Sequence, residues 1–106
     1  ADGRREPRRD MSERKAAPWM CPLDERILEF LKKEDWGTPE LIERETMMNA
    51  SWGRTFERLQ MLEQAGFVER LTRYGVMFEI TGEGERYLKG ELDAAKHVDR
   101  PNPHVV

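Results

Sequence analysis

The sequence predicts a mainly α fold with one small β-hairpin: a three-helix core, a two-stranded hairpin and a C-terminal helix. Three observations carry this. Between Pro22 and Gly66, three stretches repeat apolar residues every three to four positions, each behind a helix-start signal. From Phe67 to Thr81 the period changes to two, on either side of Tyr74-Gly75. After Thr81 the helical spacing returns, with acidic residues in the first turn.

Residues 1–18 combine charges of both signs, Pro7, Pro18 and almost no apolar side chains, so they read as a flexible charged arm. That arm is a solvated tail, an extension upstream of a chain starting at Met11, or an auxiliary element following phosphates or a minor groove. A folded domain is predicted from 19 to 97. Helix one runs from about 22 to 34. Pro22 suits its first turn, Asp24 and Glu25 its positive end, and Lys32 and Lys33 its last turn, while Leu23, Ile27, Leu28, Phe30 and Leu31 form the apolar stripe. Trp36 and Gly37 then turn the chain. Thr38-Pro39-Glu40 starts helix two, which buries Leu41 and Ile42 and ends near Glu45 or Thr46. Met47 and Met48 read as flexible core filler.

The rest of the chain is organised around Asn49 to Gly66. Asn49 or Ser51 can cap this third helix, and Gly66 can adopt the left-handed conformation that ends it. Phe56, Leu59 and Leu62, with Thr55 and Ala65 at the margins, form the face expected to be buried. Trp52, Gly53, Arg54, Glu57, Arg58 and Met61 fall on the other face. In the hairpin, Val68, Phe78 and Ile80 should face the helices, leaving Arg70, Thr72, Arg73 and Tyr74 exposed or at a tight turn. Thr81 caps a last helix anchored by Tyr87, Leu88 and Leu92, which fades near His97. Residues 98–106, with Pro101 and Pro103, read as a flexible tail.

A chain of 106 residues fits one small core. With 38% apolar and 37% charged residues and a mean hydropathy of −0.84, a soluble domain is expected. No apolar run approaches the ~20 residues of a membrane span, and the charged N-terminus lacks a signal-peptide core, so a cytoplasmic location is expected. Cys21 stands alone, which excludes an internal disulfide and leaves a cysteine zinc site short of ligands. With only His97 and His104 besides, no metal site is expected. No activated nucleophile or phosphate-cradling loop is present either, and Gly82-Glu83-Gly84 lacks the third glycine of a dinucleotide fingerprint. No enzyme activity, cofactor or small-molecule ligand is predicted.

The net charge of −3 looks wrong for a nucleic-acid binder, but its distribution matters more than its sum. Residues 1–20 hold six basic and four acidic side chains, and residues 21–97 hold 11 and 16. Many of those acids fall off the exposed face of the third helix. Arginine outnumbers lysine 13 to five, which fits either a salt-rich cytoplasm or GC-rich coding.

Three helices, a hairpin and a closing helix are the parts of a winged helix-turn-helix. Within that order the residues become more specific. They are Trp19-Met20, Pro22, Asp24, Ile27 to Leu31, Thr38-Pro39, Arg58-Leu59, Leu62, Ala65 to Arg70, Ile80-Thr81, Gly84, Tyr87-Leu88, Gly90 and Leu92. Over residues 19–95 this pattern resembles the phage phi-H repressor-like winged-helix proteins of halophilic archaea. The resemblance implies a small transcriptional regulator, a repressor, often dimeric, that binds duplex DNA. The Trp52-Gly53-Arg54 start departs from the more polar run usual there.

The residues themselves point to the same partner. Arg54 and Arg58, four apart on a helix, can each offer guanine O6 and N7 a bidentate contact, or can pair with Glu57 and neighbouring acids on a solvated face. Trp52 can pack on sugar or a thymine methyl, or fold back as core. Gly53 allows close approach of a backbone, and Ser51 or Asn49 can cap the helix and bond a phosphate. Arg73 at the wing tip, supported by Arg70, Thr72 and Tyr74, can reach backbone or minor groove. Leu88, Leu92, Ala95 and the Trp19 segment are candidate homodimer surfaces. The alternative is a winged-helix module for protein-protein assembly, suggested by the acidic balance and by Trp52 and Met61.

Overall fold

The computed structural model describes residues 14–46 and 49–97. The predicted Met47-Met48 filler, residues 1–13 of the arm and the tail at 98–106 lie outside the described residues. Helix α1 spans Pro22–Glu34, α2 Pro39–Thr46 and α3 Trp52–Ala65. Strands β1 (Val68–Arg70) and β2 (Phe78–Ile80) follow, then α4 (Gly82–Leu88) and α5 (Ala94–His97). The fold is a winged helix.

Each helix start is fixed by a short-range hydrogen bond. The Asp24 carboxylate accepts the Cys21 N–H at 2.9 Å ahead of α1, and Thr38 Oγ1 accepts the Leu41 N–H at 3.2 Å ahead of α2. Ser51 Oγ accepts the Arg54 N–H at 3.1 Å, so α3 is capped at Ser51 and not at Asn49, which sits outside the helix with φ 57°. Thr81 works in both directions. Its Oγ1 accepts the Gly84 N–H at 3.1 Å and donates to the Gly66 carbonyl at 2.6 Å, joining the start of α4 to the end of α3.

The core lies where α1 packs on α2, α3, α4 and β2. Ile27, Leu28, Leu31, Ile42, Leu59, Leu62, Phe67, Phe78 and Tyr87 are wholly buried there. Phe67 stacks on Tyr87 with ring centroids 5.5 Å apart. Gly84 sits against the Phe67 backbone, so close that an added Cβ would lie 2.3 Å from its carbonyl oxygen.

The hairpin is shorter than its alternating pattern suggests. β1 and β2 are antiparallel with Val68 opposite Ile80, Glu69 opposite Glu79 and Arg70 opposite Phe78, and residues 71–77 form a wide loop in place of a tight turn. Thr72, Arg73 and Tyr74 are exposed and have no face to bury, so nothing prolongs the ladder there. The turn after α1 adds a third strand-like partner. Gly37 and Phe78 exchange backbone hydrogen bonds of 2.9 and 2.8 Å.

Two further expectations are corrected. The last helix does not run through to His97. It ends at Leu88, Gly90 takes φ 79°, and Leu92 enters the core before α5 begins. The arm is also not free along all of residues 14–18. Arg14 pairs with Glu25 at 2.8 Å and Glu29 at 2.7 Å and donates to the Leu88 carbonyl at 3.0 Å. Ala17 is buried, and Lys15 accepts the Ala94 N–H at 2.9 Å. Burial opposes the charge of Arg14, but the hydrogen bonds it donates to Glu29 and Glu25, with their charges, outweigh it and raise its pKa. Leu88 and Leu92, expected on a dimer surface, are each only 8% exposed and belong to the core of the chain. No helix among the described residues is long and apolar enough to cross a membrane.

Candidate nucleic-acid interface

The capped start of α3 stands open. Ser51, Trp52, Gly53 and Arg54 are all exposed, and an added Cβ at Gly53 would meet no atom within 4 Å. The Arg54 guanidinium lies 3.1 Å from Glu57 and 3.9 Å from the Cys21 sulfur, with its side chain 48% exposed. An ion pair this exposed is worth little, on the order of 0–1 kcal/mol, so a phosphate or base edge can displace Glu57 at small cost. Trp52 takes an intermediate course. Its ring packs 5.1 Å from Phe56, which in turn lies edge-on to Phe78 at 6.3 Å, yet 40% of Trp52 remains in solvent.

Arg58, four residues on, lies on the same side of α3 but is buried. It is 6% exposed, and its guanidinium meets Asp24 at 2.9 Å through Nε and 2.5 Å through Nη2, with a further 2.9 Å bond to the Trp19 carbonyl. The Asp24 hydrogen bonds raise its pKa more than burial lowers it. Arg58 therefore fastens α3 to the start of α1 and is not available to a base. The sequence held a signal for this. Asp24 lies three, four and seven residues before Ile27, Leu28 and Leu31, on the apolar stripe itself, and an acid on a buried stripe requires a buried cation. Met61, also expected on the outer face, is 2% exposed, and Phe56, expected inside, is only partly buried.

The wing divides its arginines in the same way. Arg73 and Tyr74 are exposed, Tyr74 by 90%, with the Arg73 guanidinium 5.8 Å from the Tyr74 ring centre. Arg70 instead turns inward, to Glu63 at 2.9 Å and the Gly75 carbonyl at 3.3 Å. A groove between α3 and the wing is lined by Gln60, Glu63, Arg70, Leu71, Thr72 and Arg73. Gln60 and Leu71 were not singled out from the sequence. Gln60 follows Gly53 and Glu57 at helical spacing, which was a usable signal, whereas the exposure of Leu71 depends on where β1 stops. Over α3 and the hairpin, Arg54, Arg58, Arg70 and Arg73 stand against Glu57, Glu63, Glu69 and Glu79, an even balance within an acidic chain.

Comparison with known proteins gives one informative match. No family model matches the chain, and neither does any curated protein. Among solved structures, the PhiH1 repressor-like protein from Haloarcula marismortui is 34% identical and superposes with a TM-score of 0.75, over 84% of this chain and 97% of that one. That degree of identity over nearly the whole relative, on a shared winged helix, means that the chain belongs to the PhiH1 repressor-like family.

Proposed function

We propose that this protein is a transcriptional regulator, acting as a repressor in the cytoplasm, that binds duplex DNA as a homodimer. The observation that carries the reading is the open, Ser51-capped start of α3, with Arg54 exposed, alongside a wing tip that exposes Arg73 and Tyr74. In this reading α3 enters the major groove. Arg54 releases Glu57 to contact a base edge, Ser51 and the α3 N-terminus face a phosphate, Gly53 lets the backbone approach, and Trp52 packs on sugar or a thymine methyl. Arg73 and Tyr74 reach the flanking backbone or minor groove.

Selection of bound fragments from a random duplex pool tests this directly. Two half-sites about one helical turn apart are expected in the winners, and Arg54→Ala should weaken binding to them by about 1–3 kcal/mol with relaxed preference at one base position. Absence of any enriched sequence, or equal affinity of the variant across a salt series, would defeat the reading. The exposure of Trp52, Leu71 and Tyr74 favours a second reading, a protein-protein module. It is supported if Trp52→Ala abolishes a protein complex while DNA selection returns nothing.

A further inference from the structure

Arg70 is the last residue of β1, and its side chain is only 18% exposed. Its planar guanidinium meets three separate elements. Nη2 and Nε lie 2.9 and 3.4 Å from the two Glu63 oxygens on α3, and Nη1 lies 3.3 Å from the Gly75 carbonyl in the wing loop. The same group stands 5.0 Å from the ring centre of Phe78 on β2 and 5.7 Å from that of Phe56 on α3. Apart from this link, the hydrogen bond described across the loop is that from the Leu71 N–H to the Met77 carbonyl, 2.8 Å. A guanidinium can serve a carboxylate and a carbonyl along its edges while its faces lie against rings. A lysine ammonium has no such fork.

We propose that Arg70 is a positioning residue for DNA binding, which holds the wing loop against α3 through Glu63 and so sets where Arg73 meets the DNA. The inference rests on the DNA-binding reading above. In it, Arg70 and Glu63 touch no phosphate, yet the contact made by Arg73 depends on both. Glu63 gives the inference its sharpest consequence. Neutralising an acid in a DNA-facing groove ordinarily strengthens binding, because it removes repulsion from phosphates. Here the same change releases the anchor of the wing and weakens binding.

The test compares wild type, Arg70→Met, Arg70→Lys, Glu63→Gln, Arg73→Ala and the Arg70→Met/Arg73→Ala pair, all on the selected duplex across a salt series. Loss of one phosphate contact by Arg73→Ala should lower the slope of log K against log salt by roughly one. Arg70→Met and Arg70→Lys are each expected to lower it by the same roughly one unit, and the double variant by no more than either single change. Glu63→Gln is expected to weaken binding. A slope loss of roughly two in the double variant would mean that Arg70 contacts phosphate itself, and would overturn the proposal. So would wild-type behaviour of Arg70→Lys, or tighter binding by Glu63→Gln. Hydrogen exchange at the Leu71 amide tests the latch without DNA. Faster exchange in Arg70→Met supports it, and unchanged exchange overturns it, even if the wild type binds no duplex and the functional reading falls.

Discussion

Arg54 and Arg58 stand one turn apart on α3 and differ in nearly everything that matters to a partner. Arg54 keeps half its side chain in water and shares a loose pair with Glu57, on its own helix. Arg58 is enclosed, and its partner Asp24 is wholly buried on another helix. Periodicity places both on one side of α3, so the difference arises outside it. What decides whether an arginine can recognise something is the residue facing it from the neighbouring element. The wing repeats the lesson, with Arg73 open at the tip and Arg70 committed to Glu63.

The largest effect expected from this contrast is on stability. Arg58→Ala leaves the Asp24 carboxylate buried without its cation and should cost about 3–5 kcal/mol in urea unfolding, whereas Arg54→Ala should change stability by no more than about 0.5 kcal/mol. Replacing both partners, with Asp24→Leu and Arg58→Met, should restore much of the loss. If the two single arginine variants proved equally stable, the contrast would collapse.

An intermediate effect belongs to the interior of the platform. Burial, reinforced by the hydrogen bond it donates to Glu25, pushes the Tyr87 phenol above its usual value of 10. The folded chain then holds a proton that the unfolded chain gives up above pH 10. The stabilisation is therefore complete below pH 10 and declines as pH rises beyond it, by up to about 1.4 kcal/mol per pH unit. Urea midpoints at pH 9 and 11 should show this decline in wild type and a smaller one in Tyr87→Phe. An equal decline in both would assign it to other groups.

The smallest effect sharpens the comparison on the recognition side. Gly53 faces open space, so Gly53→Ala should stabilise the fold by up to about 1 kcal/mol through helix propensity alone. In the proposed DNA-bound arrangement the same methyl would stand between α3 and the DNA backbone, so affinity should fall while the melting temperature rises. A rise in both would remove Gly53 from the interface.

The features legible in the sequence were the local ones. The span of α1, the caps at Thr38 and Thr81, and the Gly66 stop depend on residues within a few positions of one another, and all are found, while of the two cap candidates for α3, Asn49 and Ser51, it is Ser51 that caps. The features that were not legible join distant parts of the chain. Arg58 meets Asp24 across 34 positions, and Arg14 meets the Leu88 carbonyl across 74. In the wing, Arg70 meets the Gly75 carbonyl across the loop, and beyond Gly90 Leu92 is buried in the core. Of the candidate contacts, Ser51, Trp52, Gly53, Arg54, Arg73 and Tyr74 are exposed where a partner can reach them, while Arg58 and Arg70 are engaged within the fold.

The Gly37–Phe78 exchange bears on edge-to-edge pairing of the sheet. Phe78 gives both backbone groups to Gly37 on one side and faces Arg70 on the other, so β2 is flanked on both edges at that position. Within the two-stranded sheet, the outer side of β1 is then the edge left for strand addition, and it is three residues long with Glu69 exposed at its centre. A short, charged edge is a poor template for edge-to-edge growth. Self-association through this sheet is therefore disfavoured, and a homodimer would form through other surfaces without competition from strand-mediated aggregation.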